Sequence, residues 1–441
     1  MSAPATLRRH LSLRDLVVYG LLFIGPLAPV GVFGVLDART DGAVALVYVL
    51  ATVAMGFTAW SYARMSRVVP RAGSVFAYAS EGIGPRAGFI AGWLAMLDYL
   101  LIPSVAYLFC GIALHALVPT VPAWVFTVAA FAATTALNRA GVAVAARVGT
   151  VVVIAEIVVL VLFVGAALLV LARDGGARPL LSPLVGLGGF SLALVVGAVS
   201  IAVLSFLGFD AIASFAEESA GDVRHVGTAI TICLGVAGLL FVVQTWLGAV
   251  LSAQSPTTLA ADPASQGPAF YAVARLAIGP WMGTVLAVTK AIGPAFAAMT
   301  AQAAASRLLY GMAREGTLPT ALARVDAHGV PSTALGAAAL LTLVVSAWAA
   351  RRDDGLDILV SIVDLGALAA FTLLHASVVG YFVRQKRGPS TAADLIVPAL
   401  GALTTIWVIV ESGTLAKIVA GTWLVLGLLV MSRSWSRGAG D

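Results

Sequence analysis

The sequence predicts an all-α polytopic membrane protein with twelve transmembrane helices. Three observations carry that expectation: an apolar composition, a series of apolar runs of spanning length, and a sorting of basic residues between alternate loops. Of 441 residues, 60% are hydrophobic and only 11% are charged, with mean hydropathy +1.00. A soluble domain carries about 25% charged residues. At about 20 apolar residues per span the length accommodates roughly a dozen helices. The runs lie near 16–36, 43–65, 87–117, 122–138, 145–172, 191–219, 227–252, 280–313, 331–349, 356–383, 394–411 and 414–432. With the N-terminus inside, 18 of the 26 Lys and Arg fall in cytoplasmic segments, 7 fall in outer segments, and Lys290 alone is left within a span. That bias follows the positive-inside rule and puts both termini in the cytoplasm. The net charge of +5 is thereby accounted for by loops, and it does not suggest a nucleic-acid partner.

Taken in order, a cytoplasmic tail (1–15) with Arg8, Arg9 and Arg14 precedes the first run. That run is too long for the apolar core of a cleaved signal peptide. It reads Phe23-Ile24-Gly25-Pro26-Leu27-Ala28-Pro29-Val30-Gly31-Val32-Phe33-Gly34, with two prolines and three glycines in what should be continuous helix. Proline removes a backbone donor and clashes with the preceding turn. Broken backbone within lipid is tolerated only where it is buried in protein or lines a cavity. The sixth run is interrupted in turn by Gly208 and Asp210 in Ser205-Phe206-Leu207-Gly208-Phe209-Asp210. The two broken runs each begin a block of five helices, and five is odd, so the blocks have opposite orientation. Paired breaks in inverted repeats mark a binding site near the bilayer midplane. The expected organisation is a first repeat over 16–172, a second over 191–383, peripheral helices over 394–432 and a cytoplasmic tail over 433–441.

Charges inside spans are costly and mark pathways or relays by default. Asp98, Glu156, Asp210, Lys290 and Asp364 are the deep candidates, and His375 lies well inside the tenth run. Asp98 falls near mid-bilayer, with a substrate contact or a structural hydrogen bond as its two readings. Asp210 adjoins the second break, where it can meet an ammonium or cap the following half-helix. Asp364 reads as a solvated vestibule residue near the outer end of its span, or as a gate. Phe206 and Phe209 flank Gly208 and are the foremost aromatic wall candidates, ahead of Phe23 and Tyr107. Cys110 and Cys233 offer neither a disulfide framework nor metal spacing. No cofactor, phosphate loop or nucleophile triad is expected, and the chain does not read as an enzyme.

Three stretches carry a resemblance to the amino acid–polyamine–organocation (APC) superfamily. They are Gly73-Ser74-Val75-Phe76-Ala77-Tyr78-Ala79 with Gly92-Trp93-Leu94-Ala95-Met96-Leu97-Asp98-Tyr99-Leu100; Phe206-Leu207-Gly208-Phe209-Asp210 with Glu217-Glu218; and Arg307-Leu308-Leu309-Tyr310-Gly311-Met312-Ala313-Arg314-Glu315-Gly316-Thr317-Leu318-Pro319. Within that superfamily the chain is most similar to the bacterial putrescine importer branch. The resemblance implies a LeuT fold, with two inverted five-helix repeats and two peripheral helices, and proton-coupled uptake. It implies that spans five and eight approach the broken first helix, where Glu156 and Lys290 would satisfy one another as an ion pair, either purely structural or as the proton-coupling candidates. There are departures. Importers of this branch tend to carry Asp where Gly31 stands, and they lack a lysine at the place of Lys290. Amino-acid members hold the substrate carboxylate on first-helix amides, and here Pro26 has none to give.

The substrate-binding residues expected are Ile24, Gly25, Pro26, Leu27, Asp98, Phe206, Gly208, Phe209 and Asp210. The function expected is a secondary active transporter of the plasma (inner) membrane, importing a small amine or amino acid with protons by alternating access. Putrescine-like diamines stand slightly ahead. The alternatives are a neutral amino acid permease or exchanger of the same fold, and a non-transporting membrane sensor. A sensor would call for a soluble signalling domain, and the loops are too short for one.

Overall fold

The computed structural model describes residues 11–438 except 72, 119, 140, 141, 327, 328, 353, 354 and 413. The first ten residues, with Arg8 and Arg9, and the last three therefore lie outside the description. Helices stand at all twelve expected positions. Ten of them are long and apolar enough to cross a membrane. The fourth (Ala123–Arg139) and the helical part of the sixth (Leu192–Leu204) are apolar but shorter. Among the described residues the backbone forms no strand, only one isolated parallel bridge between Leu11 and Ser219. The chain is an all-α polytopic membrane protein.

The first span starts at a capping box, in which Ser12 accepts from the Asp15 amide and Asp15 accepts from the Ser12 amide. This arrangement satisfies two of the amides that a helix N-terminus leaves open. The helix Leu13–Ile24 stops where the sequence turns against it. Pro26 cannot donate, and Gly25 takes φ +73°. A short 3₁₀ turn (Ala28–Gly31) and a second α-helix (Phe33–Arg39) complete the span. The sixth span stops at Leu204 and resumes as the 3₁₀ segment Asp210–Glu218 after Gly208, which takes φ +117°. A β-carbon on Gly208 would overlap the Phe23 ring. Close approach of the two broken segments thus requires glycine there, by conformation and by space.

The third span (Pro85–Leu117) and the eighth (Pro280–Arg314) share landmarks. Each begins Ile-Gly-Pro, with the glycine at φ +146° (Gly84) or +143° (Gly279), and each carries an internal proline, Pro103 or Pro294. Each follows a short helix, Val75–Gly82 or Ala269–Ala277. These two short helices are not apparent from the apolar runs, because they are shorter than a span. Spans three and eight pack along one another in the centre of the molecule. Exposed Val, Leu and Ile concentrate on spans five, eleven and twelve (Val142–Asp174, Ala393–Glu411, Thr414–Gly438), at the periphery where lipid would meet them. Some polar groups buried between spans find partners on a neighbouring span. His375 of span ten bonds Ser61 (2.9 Å) and Thr58 (3.3 Å) of span two.

One face of the molecule is closed by ion pairs. Arg307 makes a bidentate contact with Glu218 (2.6 and 3.1 Å) and lies over the Phe215 ring, with all three buried. Arg314 makes a second, more exposed pair with Glu217. Leu11 and the Glu218–Ala220 backbone exchange hydrogen bonds of 2.9 and 2.8 Å, which ties the chain's start to this face. On the opposite face Arg178 grips Asp37 through both terminal nitrogens, at 2.8 and 2.7 Å, and also bonds Ser252. Both bidentate pairs are buried, and each joins segments far apart in sequence.

Candidate functional site

A cavity of about 100 Å³ lies where the two broken spans meet. Phe23, Ile24, Gly25, Ala28 and Gly31 form its first-span wall, and Leu204, Ser205 and Leu207 its sixth-span wall. Span three adds Ile102, Val105, Ala106 and Phe109; span five (Val142–Asp174) adds Glu156; span eight adds Lys290, Gly293, Pro294 and Ala297. The wall is apolar apart from very few groups, as a small-molecule site usually is. Its one acid is Glu156 and its one base is Lys290.

This cavity shares Gly31, Phe109 and Lys290 with a vestibule of about 760 Å³. The vestibule runs beside the helix Ala269–Ala277, with Tyr271 and Arg275 in its wall. Span seven (Arg224–Leu251) leads from the closed face to that helix, so the vestibule lies on the far side from the Glu218–Arg307 pair.

The backbone at the breaks is largely occupied. Gly25 donates to the Leu21 carbonyl (2.9 Å) and Ala28 to the Gly25 carbonyl (2.9 Å). Pro26 has no N–H, and its carbonyl accepts from Gln244 at 3.0 Å. In span six the amides of Ser205, Phe206 and Leu207 donate to carbonyls three residues back, and Gly208 donates to Asp210 Oδ1 at 3.2 Å. The Ser205 hydroxyl is engaged with the Tyr48 hydroxyl at 2.9 Å.

Glu156 and Lys290 are the exceptions. Glu156 is 3% exposed, and its Oε2 has no partner in the protein. Its carboxylate presses on Gly293, where a β-carbon would overlap it. Lys290 is half-buried, with its Cε facing Gly31, and among the described residues it makes no hydrogen bond or ion pair. The direct ion pair expected of these two residues is therefore not formed: they share one cavity wall without closing to salt-bridge distance. Gly31 and Gly293 supply the room.

The other expected site residues are placed elsewhere. Phe206 and Phe209 are fully buried, Phe206 against Tyr48 and Phe241 and Phe209 against Tyr62 and Phe371. Pro26 and Leu27 turn away from the cavity, as does Gly208, which lies against Phe23. Asp210 accepts from Tyr99 (2.7 Å), from Tyr62 (3.5 Å) and from the Gly208 amide two residues back. These bonds tie the break to spans two and three as well as to its own backbone. Asp98, 2% exposed, neighbours Asp210 and Asp364, and one oxygen of Asp98 and one of Asp364 lack protein partners. Asp364 is partly buried beside span three, on which span ten packs through Gly366 against Leu97. Of the nine expected substrate contacts, Ile24 and Gly25 line the cavity. Gly293 and Phe109 went unnoticed in the sequence, since nothing distinguishes one glycine or phenylalanine of an apolar helix from its neighbours.

The motif stretches, the paired breaks and the central cavity are matched by a family-wide likeness. A model of the family described as amino acid permease matches residues 16–426. The chain belongs to the amino acid permease family. It is 31% identical to the low-affinity putrescine importer of Escherichia coli (strain K12), over 97% of this chain and 93% of that protein. It is 26% identical to a branched-chain amino acid permease of Lactococcus lactis subsp. cremoris (strain MG1363), over 95% and 93%. A methylthioribose transporter of Bacillus subtilis (strain 168) is 27% identical over 97% and 94%. These relatives are named for different substrates, while the coverage stays nearly complete.

Proposed function

We propose that the chain is a secondary active transporter of the inner membrane that imports a small amine or amino acid by alternating access, coupled to protons. The observation that carries this reading is the cavity built at the two helix breaks, open through a vestibule on one face and closed by ion pairs on the other. A carrier needs a central site reachable from one side at a time. With both termini cytoplasmic, the vestibule faces outward and the Glu218–Arg307 pair forms the inner closure. The two breaks and the matched landmarks of spans three and eight support inverted repeats over 16–172 and 191–383. Alternating access then amounts to the rocking of one set of helices against the other around a fixed site.

Glu156 and Lys290 are the proton-coupling candidates, since they are the ionisable groups that line the cavity. The test is uptake into proteoliposomes of radiolabelled putrescine, alanine and γ-aminobutyrate, under an imposed inward proton gradient. Accumulation of at least one solute, abolished by a protonophore and indifferent to sodium, is the expected result. Accumulation that survives the protonophore and requires sodium overturns the coupling, and uptake of none of a broad amine and amino-acid panel overturns the carrier reading.

A further inference from the structure

The geometry points to Lys290 and Glu156 as a zwitterion-recognising pair: Lys290 receives the substrate's carboxylate and Glu156 its ammonium. This assignment rests on the carrier reading and narrows it to amino acids over diamines.

Counting unmet hydrogen-bonding capacity in the wall leads to the assignment. A bound carboxylate needs donors, and an ammonium, being donor-only, needs acceptors. The amides at both breaks that face the cavity already donate within the chain: Gly25 to Leu21, Ala28 to Gly25, Ser205 to Ala202 and Leu207 to Leu204. Pro26 has no amide hydrogen. The backbone therefore offers little to a carboxylate. Lys290 is the one cation in the wall, makes no hydrogen bond or ion pair among the described residues, and stands at the junction of cavity and vestibule. Across the same cavity Glu156 holds a buried oxygen without a partner.

Glu156 and Lys290 share a small apolar cavity without closing to hydrogen-bond distance, which leaves the buried Glu156 Oε2 and the Lys290 ammonium with unmet hydrogen-bonding capacity. A buried charge lacking its partner is strongly unfavourable. A zwitterion placed between them satisfies both, and a diamine satisfies only Glu156 while setting its second ammonium against Lys290. Asp98 and Asp210 do not relieve that repulsion. They lie outside the wall, and Asp210 is engaged by Tyr99, Tyr62 and Gly208. At about 100 Å³ the inner cavity suits a small solute.

Binding to the purified full-length protein in nanodiscs, by calorimetry, tests the assignment. The probes are the natural amino acids, γ-aminobutyrate, putrescine, and for any amino acid that binds, its amide and its N-acetyl derivative. The expected results are that at least one amino acid binds, that both derivatives lose at least tenfold in affinity, and that putrescine does not compete. Lys290→Gln is expected to lose at least tenfold for the amino acid and no more than twofold for its amide, a split that a generally damaged fold does not produce. Gly31→Asp combined with Lys290→Met places a second acid in the wall and removes the base; putrescine binding should appear in it. Wild-type protein that binds putrescine and no amino acid overturns the assignment, as does Lys290→Gln with unchanged amino-acid affinity. Proteoliposome uptake by the same preparation separates the two claims. Putrescine uptake alone keeps the carrier reading and removes the assignment; amino-acid binding without any uptake does the reverse.

Discussion

Two glycines in the centre of the molecule are constrained in different ways, and their substitution should separate folding from function. Gly208 has φ +117°, and its added β-carbon would run into the Phe23 ring, which is held in the core. Backbone in such a sparsely populated region costs an L-residue about 1–3 kcal/mol, before the ring is displaced. Gly293 lies inside a regular helix, and its added β-carbon meets the end of a flexible carboxylate, that of Glu156. Gly208→Ala is therefore expected to lower the unfolding temperature and the yield of folded protein. Gly293→Ala is expected to leave both close to wild type but to weaken substrate affinity several-fold, by moving Glu156. Thermal unfolding in detergent together with a binding isotherm reads both. Equal losses of stability in the two variants would refute the distinction. The sequence alone marks Gly208, because glycine and aspartate interrupt an apolar run there. It is silent on Gly293, because what makes that position matter is a side chain 137 places earlier in the chain, brought near only by packing.

At the scale of elements, apolar run length and proline placement made the spans legible to within a few residues. The breaks declare themselves through Pro26, Pro29 and Gly208, since those residues forbid or strain a continuous helix. Which side chains around a break face the cavity is a matter of helix rotation. An apolar helix with no polar face carries no periodic signal for it. Asp98 and Asp210 accordingly look like site residues by depth, whereas neither lines the cavity and Asp210 accepts from Tyr62 and Tyr99. The helices Val75–Gly82 and Ala269–Ala277 escaped notice because they never reach spanning length. The closing elements are joined by charges of unequal burial. The side chains of Arg307 and Glu218 are 1% and 0% exposed, against 35% and 17% for Arg314 and Glu217. Removing one partner of a buried pair costs about 3–5 kcal/mol, and an exposed pair is worth about 0–1 kcal/mol. Arg307→Gln should thus lower thermal stability severely, and Arg314→Gln should lower it little. If Arg314→Gln proves the more damaging, the Glu218–Arg307 pair is not what holds this face shut.

For the molecule as a whole, orientation is the property that turns a cavity into an importer. The sorting of 18 basic residues to one side and 7 to the other predicts it, through the preference of Lys and Arg for the cytoplasmic leaflet. The natural lysines offer a test that needs no engineering. Besides Lys290 the chain has only Lys386 and Lys417. Both are exposed, Lys386 after the tenth span and Lys417 in the first turn of the twelfth, and span eleven (Ala393–Glu411) lies between them. One apolar helix between two exposed amines puts them on opposite sides of the bilayer. With both termini inside, Lys417 faces out and Lys386 faces the cytoplasm. An impermeant amine reagent applied to intact spheroplasts should label Lys417 alone, and permeabilisation should add Lys386, as read by peptide mass spectrometry. The Lys417 amine donates to the Val410 carbonyl at 2.6 Å, so its reaction should be slowed but not prevented. Labelling of Lys386 first would invert the molecule. The vestibule beside Tyr271 and Arg275 would then open to the cytoplasm, and the Glu218–Arg307 closure would face outward. Lys290, at the neck of the vestibule, adds a second reading to the same experiment. A saturating substrate that occupies the cavity should suppress whatever slow labelling Lys290 shows, while Lys417 continues to react at its own rate.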